Sequence, residues 1–325
     1  MFDSCTFLDT TRLPCISYLP GGFCSRPDMF RCPEYIRTHM PSLSFSSMKD
    51  FSHCHRKFYH GYIQGIELKE KKKALELGSK ASLILGMLHA VTNPDGVGEY
   101  KRFIRSAWES TLEPGDPDSF GDLSLIIMKA MFDAYVACGL HEHKGTSEYE
   151  FRWKDLDYPE IHGFLDLAIQ EQAWAEEFKY TTSPQYYDKF AMEEQLSSYF
   201  IGAPQINTFR VTCLVPPKFR PKDNEKLSQF YKRVYDDIVS RNTTAYFMQT
   251  TYYRSEFNLD QFKHKARMIA EEIMQYCNKA QLTPDPTYYF YQNKQACHAP
   301  FECEFIDICT SGVMPDNLFK KRGKR

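Results

Sequence analysis

Two rhythms of apolar and polar residues run through this chain, a helical period in its outer parts and a strand period at its centre. From Ser42 onward Phe51, Cys54, Phe58 and Tyr62 recur at helical spacings, which predicts a helix capped by Ser46 or Ser47 and closing near Gly65. A second apolar helix is expected over residues 74–91, and two more at about 100–111 and 123–139. A strand at 148–153 then precedes two apolar-rich runs, 161–169 and 173–178, joined by the polar Gln170-Glu171-Gln172. That is the pattern of a β-hairpin. Beyond it the pattern predicts a helix at about 187–201, a strand at 206–215, a helix around 225–240, a strand at 245–253 and a long helix at 259–279. The core order is helix, three strands, helix, strand, an α/β arrangement. Residues 1–41 are rich in Pro, Gly, Cys and Thr without a sustained period and read as an irregular extension. Short linkers and the lack of internal repeats favour one main domain over 42–311 with helical additions, followed by a basic tail at 312–325.

The hairpin carries the candidate chemistry. Either a two-residue or a four-residue loop sets Asp166 opposite Glu177, and directly paired Cβ atoms lie roughly 4.5–5.5 Å apart. Two carboxylates so placed repel unless a cation neutralises them. Side chains alternate along a strand, so Glu177 and Lys179 share a face while Phe178 points into the core. Two carboxylates suit Mg²⁺ or Mn²⁺, hard ions that take oxygen ligands and keep several waters. A solvated strand face with an ordinary Glu-x-Lys pair is the alternative for that tripeptide alone.

Gly163-x-x-Asp166, then Glu177-Phe178-Lys179, then Gln195-x-x-x-Tyr199 resembles the PD-(D/E)XK nuclease superfamily in its RecB-like, CRISPR-adaptation-exonuclease-like branch, with a phage-encoded origin left open. The resemblance implies a restriction-endonuclease-like core with a Cys-rich C-terminal segment. It implies that Asp166, Glu177 and the Phe178 carbonyl hold the metal and that Lys179 is catalytic. Gln195 and Tyr199, four apart on a helix, share one face and are expected to contact DNA. The segment with Cys54, Arg56, Lys57, Phe58, Tyr59 and Gly65 is similar to the RecB-like opening. Where many relatives carry a metal-site histidine four residues beyond a glycine, this chain has Ser82 after Gly78. His89 is expected to be a core or surface histidine rather than a replacement ligand. Some RecB-like nucleases clamp an iron–sulfur cluster with one early and three late cysteines, which by resemblance gives Cys54, Cys297, Cys303 and Cys309 and a [4Fe–4S] cluster. A Cys₄ zinc site is the metal alternative, and buried thiols the metal-free one.

Composition narrows the setting. A chain of 325 residues with 42% hydrophobic residues can bury a large core, and it has no apolar run near the ~20 residues that span a bilayer. No export leader is legible, and the odd count of eleven cysteines favours reduced thiols. Cytoplasmic residence is therefore expected, in a host cell if the protein is viral. Cys5, Cys15, Cys24 and Cys32 match no tight zinc pair. The net charge of −2 argues against coating nucleic acid by bulk charge, although the basic runs at 69–73, 218–222 and 320–325 permit phosphate contacts. The expected function is a Mg²⁺- or Mn²⁺-dependent deoxyribonuclease, an exonuclease acting on single strands or duplex ends in recombination, repair or viral DNA processing. The alternative, argued from Ser82, is a DNA-binding or assembly protein of the same fold with weakened catalysis.

Overall fold

A computed structural model describes residues 42–70, 73–110, 121–154, 159–241, 243–281, 285–298 and 302–322. The four cysteines before residue 41 lie outside them. In chain order the elements are α1 (Phe45–His53), α2 (His55–Phe58), a π-helical turn (Tyr59–Ile63), β1 (Ile66–Leu68), α3 (Lys73–His89), α4 (Gly96–Glu109) and α5 (Leu123–Ala137). Then come β2 (Thr146–Trp153), β3 (Ile161–Ile169), β4 (Trp174–Tyr180), α6 (Lys189–Gly202), β5 (Thr208–Leu214) and α7 (Leu227–Arg241). The short α8 (Thr243–Tyr246), β6 (Phe247–Tyr253), α9 (Leu259–Gln281), α10 (Ile306–Ser311) and β7 (Phe319–Lys321) complete the chain.

A five-stranded sheet in the order β2-β3-β4-β5-β6 forms the centre. Only β4 and β5 run parallel, and the crossover that parallel pairing requires is supplied by α6. The α/β core of helix, three strands, helix and strand is therefore present, extended by β6 on the edge. Helices α3, α4, α5 and α7 bury one face of the sheet against Leu167, Ile169, Phe178 and Leu214. On the other face α6 packs through Met192, Leu196, Tyr199 and Phe200 onto Leu165, Ala175 and Val211. Because β4 is covered on both faces, Ala175, Glu176, Glu177 and Phe178 are all buried and its sequence does not alternate.

The first predicted helix is broken. Its cap is Ser44, whose side chain accepts from the Ser47 N–H, and it ends at Cys54, which is extended at φ −158°. The Cys54 sulfur accepts from the Asn293 N–H at 3.4 Å, a long-range contact that competes with helical continuation. Arg56 donates to the carbonyls of Phe290 and Thr287, so this segment is tied to the C-terminal region through a separate core with α9. Part of the basic C-terminal run is strand rather than tail, since β7 pairs antiparallel with β1 and Phe319 is buried there. Among the described residues no helix is long and apolar enough to cross a membrane.

Candidate active site

The site lies where β3 and β4 separate. Their ladder pairs Ile169 with Trp174, Ala168 with Ala175 and Leu167 with Glu176, the register expected from the hairpin. The connection is a 3₁₀ turn over Gln170–Gln172 closed by Ala173 in the left-handed conformation at φ 55°. Beyond Leu167 the pairing stops. There the Asp166 carboxylate, rather than a backbone carbonyl, accepts the Phe178 N–H at 2.8 Å. The Gly163 of the motif has a packing reason, because a Cβ there would meet the Phe151 ring at 2.6 Å.

Glu177 is 4% exposed. Its Oε1 accepts from Lys179 Nζ at 2.5 Å and from Gln195 Nε2 at 2.9 Å. Its Oε2 is buried, and nothing among the described residues hydrogen-bonds it. Such an oxygen costs free energy unless something else satisfies it. Asp166 carries the complementary signature. Desolvation first, and then the Glu177 charge, push its carboxyl well above the usual range, against the pull of Lys179 and the Phe178 N–H. Burial works against the Lys179 charge, but Glu177 and Asp166 outweigh it and hold the ammonium above its ordinary value. A carboxyl raised by its surroundings beside a carboxylate with an orphaned oxygen is a donor set that fits a divalent ion.

The predicted DNA-contact pair sits differently from expectation. Tyr199 is buried between Phe151 and Phe209, with ring centroids 5.5 Å from each. Gln195 Nε2 donates to the Tyr199 hydroxyl at 2.5 Å as well as to Glu177. The shared helical face thus exists, but it is turned onto the carboxylate instead of lying open to a polynucleotide. The α6 face is needed to close the core under Ala175 and Val211, and that burial wins. Ser82 is exposed on α3 and donates to the Gly78 carbonyl at 3.2 Å. His89 is a core histidine on the opposite face of the sheet. It stacks on Phe178 at 5.4 Å and bonds the Tyr135 hydroxyl at 2.8 Å and the His143 carbonyl at 2.9 Å, and burial lowers its pKa to about 4.

Sequence reasoning missed Glu176. It is fully buried on the His89 side, accepting from Arg210 Nε at 3.0 Å and Nη2 at 2.6 Å, from His143 Nε2 at 2.9 Å, and from the Thr212 hydroxyl. Arg210 also lies over the Trp174 ring at 4.5 Å. Burial alone would raise the Glu176 carboxyl, but His143 and Arg210 outweigh it and hold it below the usual range. Adjacent glutamates therefore differ in kind: one has every oxygen satisfied, the other does not.

The four cysteines of the expected cluster come from α1–α2 and the C-terminal segment. Cys54 and Cys297 are buried, and Cys303 and Cys309 half-buried. N–H groups point at three of the sulfurs: Asn293 at Cys54 (3.4 Å), Gln292 at Cys297 (3.3 Å) and Phe305 at Cys303. The Cys309 thiol is pushed up to about 11, by burial first and then, against Arg56, by Cys303, Cys54 and Cys297. Burial likewise raises the Cys303 thiol, against the Phe305 N–H and Lys57. As the side chains stand, no group of three or more His, Cys, Asp or Glu among the described residues is arranged to hold an ion.

Sheet order, the parallel β4–β5 crossover and the forked hairpin define a restriction-endonuclease-like nuclease core. A profile of the PD-(D/E)XK nuclease superfamily matches residues 42–310, and the chain belongs to that superfamily. No curated protein matches the chain.

Proposed function

We propose that this protein is a Mg²⁺- or Mn²⁺-dependent DNA nuclease, acting as an exonuclease on single strands or duplex ends in recombination, repair or viral DNA processing. The observation that carries the reading is the buried, partnerless Glu177 Oε2 beside Asp166. Asp166, Glu177 and the Phe178 carbonyl are the residues that would hold the ion. Bound there, it would supply Lewis acidity toward the phosphodiester and its leaving oxygen. Lys179, held charged by the two carboxylates, donates toward the attacking water and balances the negative charge that builds on the phosphate. Gln195 fixes the Glu177 carboxylate with one N–H and is itself braced by donating the other to the Tyr199 hydroxyl. Labelled single- and double-stranded DNA incubated with Mg²⁺, Mn²⁺ or chelator tests the reading. Asp166→Ala, Glu177→Ala and Lys179→Ala should each abolish cleavage in folded protein. Full activity in Asp166→Ala sinks it.

The second part of the reading is that Cys54, Cys297, Cys303 and Cys309 hold a [4Fe–4S] cluster with a structural role, joining the first helices to the C-terminal segment. It is supported by the N–H donors on three sulfurs, since such hydrogen bonds stabilise thiolate ligands. Anaerobically purified protein should be brown, with about four iron atoms per chain. Cys54→Ser, Cys303→Ser or Cys309→Ser should bleach it and lower its melting temperature. A colourless protein with bound zinc selects the zinc site, and a metal-free folded protein overturns both.

A further inference from the structure

The strand beside Asp166 carries a backbone distortion. Glu148 has φ 50°, left-handed backbone that non-glycine residues rarely adopt. Among the described residues Ala173 and Asn224 share it, but Ala173 closes the hairpin turn and Asn224 lies in a loop, whereas Glu148 is inside β2. The β2–β3 register pairs Ser147 with Leu167 and Tyr149 with Leu165, so Glu148 stands opposite Asp166.

Both strands change face at this point. On β3, Leu165 packs in the α6-side core and Leu167 in the opposite one. On β2, Tyr149 packs on the α6 side while Ser147 lies against α3, where a Cβ on Gly86 would meet its hydroxyl at 3.5 Å. Residues two apart in a regular strand share a face, so each strand is turned over at the residue between. The two residues that turn are Glu148 and Asp166. Strained backbone of this kind persists where its surroundings fix it, and it clusters at ligand sites.

The Glu148 side chain is exposed and has no hydrogen bond or ion pair among the described residues. Glu150, two residues on, is instead bonded to Arg152 at 2.6 Å. The orphaned Glu177 Oε2 is the independent sign that a ligand belongs in this space. We propose that Glu148 is an outer, positioning carboxylate of the cation site, acting on a divalent ion through intervening solvent from the neighbouring strand. The proposal rests on the reading of Asp166 and Glu177 as cation ligands. An outer position agrees with the absence, among the described residues, of three carboxylates arranged to ligate directly, and with an ion that retains several waters.

Binding of Mn²⁺ alone, read from the electron paramagnetic resonance of the free ion in high salt, tests this without any cleavage assay; the salt screens distant charges. Wild type should bind and Asp166→Asn should not. Glu148→Gln and Glu148→Gly should each weaken binding about tenfold, with Glu148→Asp retaining most of it and Glu150→Gln all of it. Metal-free Glu148→Gly should melt higher than wild type, because glycine accepts this φ, so that its lost affinity is not lost folding. Equal affinity in Glu148→Gln and wild type, or an equal loss in Glu150→Gln, overturns the proposal and leaves the cation site standing. Failure of the wild type to bind Mn²⁺ overturns both.

Discussion

Without a cation the site should destabilise the fold, and Asp166→Asn should relieve it. Asparagine keeps an oxygen for the Phe178 N–H while removing the charge that faces Glu177. Like charges ~5 Å apart at an effective dielectric of 20 repel by ~3 kcal/mol, and attraction to Lys179 returns part of that, so a gain of ~2 kcal/mol is expected. In a chain of this size that raises the melting temperature by ~4 °C. The pH dependence carries the sign. Because the folded Asp166 carboxyl is raised above its unfolded value, its contribution is intact below the ordinary aspartate range and is lost as pH rises toward the folded value.

Melting in chelator at about pH 4 and about pH 8 should therefore show wild type and Asp166→Asn nearly equal at the acid end and separated at the alkaline end. Excess Mn²⁺ should reverse the order at the alkaline end, stabilising wild type and leaving the variant unmoved. The cation and the Asp166 proton compete, so wild-type affinity for Mn²⁺ should rise with pH. A variant no more stable than wild type in chelator at alkaline pH, or equally stabilised by Mn²⁺, refutes the electrostatic argument.

Arg210→Met should cost ~3–5 kcal/mol in denaturant melts by leaving the Glu176 carboxylate buried with fewer partners, and Arg210→Met with Glu176→Gln should recover more than half. The lowered Glu176 carboxyl gives the opposite pH slope to Asp166, with stability present at neutral pH and lost as pH falls through its folded value. Gly163→Ala should lose ~1–3 kcal/mol, since the new Cβ meets the Phe151 ring at 2.6 Å and that ring is wedged again at Gly202. Gln195→Ala should slow cleavage about tenfold or more with DNA affinity nearly unchanged in a gel shift. Lost affinity at an unchanged rate would instead mean that Gln195 holds DNA.

The parts of the fold that were legible are those fixed by local period. The hairpin register followed from the polar link at Gln170–Gln172, and the strand alternation put Glu177 and Lys179 on one face with Phe178 opposite. The break at Cys54 was not legible, because it is set by Asn293, more than two hundred positions away, and helical spacing on both sides of it is intact. Nor was the pairing of β7 with β1, which a run of lysines conceals. Helical spacing shows that Gln195 and Tyr199 share a face but not which way that face turns.

Glu176 and Glu177 show the same limit at the site itself. In sequence they are indistinguishable acids in one strand, and alternation says only that they point apart. Which of them can serve as a cation ligand is decided by hydrogen-bonding capacity. A carboxylate has about four acceptor positions. Glu176 fills its own from Arg210, His143 and Thr212, residues drawn from β5 and the α5–β2 loop, so a cation there would have to displace charged partners. Glu177 receives donors on Oε1 alone, from Lys179 and Gln195, and its Oε2 is buried without a hydrogen bond. The fork exists because the β3–β4 ladder stops after Leu167 and Glu176, and it stops because the Asp166 carboxylate takes the Phe178 N–H that a continued ladder would have used. The same residue thus opens the site and supplies one of its ligands, so Asp166→Asn can keep the fork while removing one of its two carboxylates, whereas Asp166→Ala also leaves the Phe178 N–H without its acceptor.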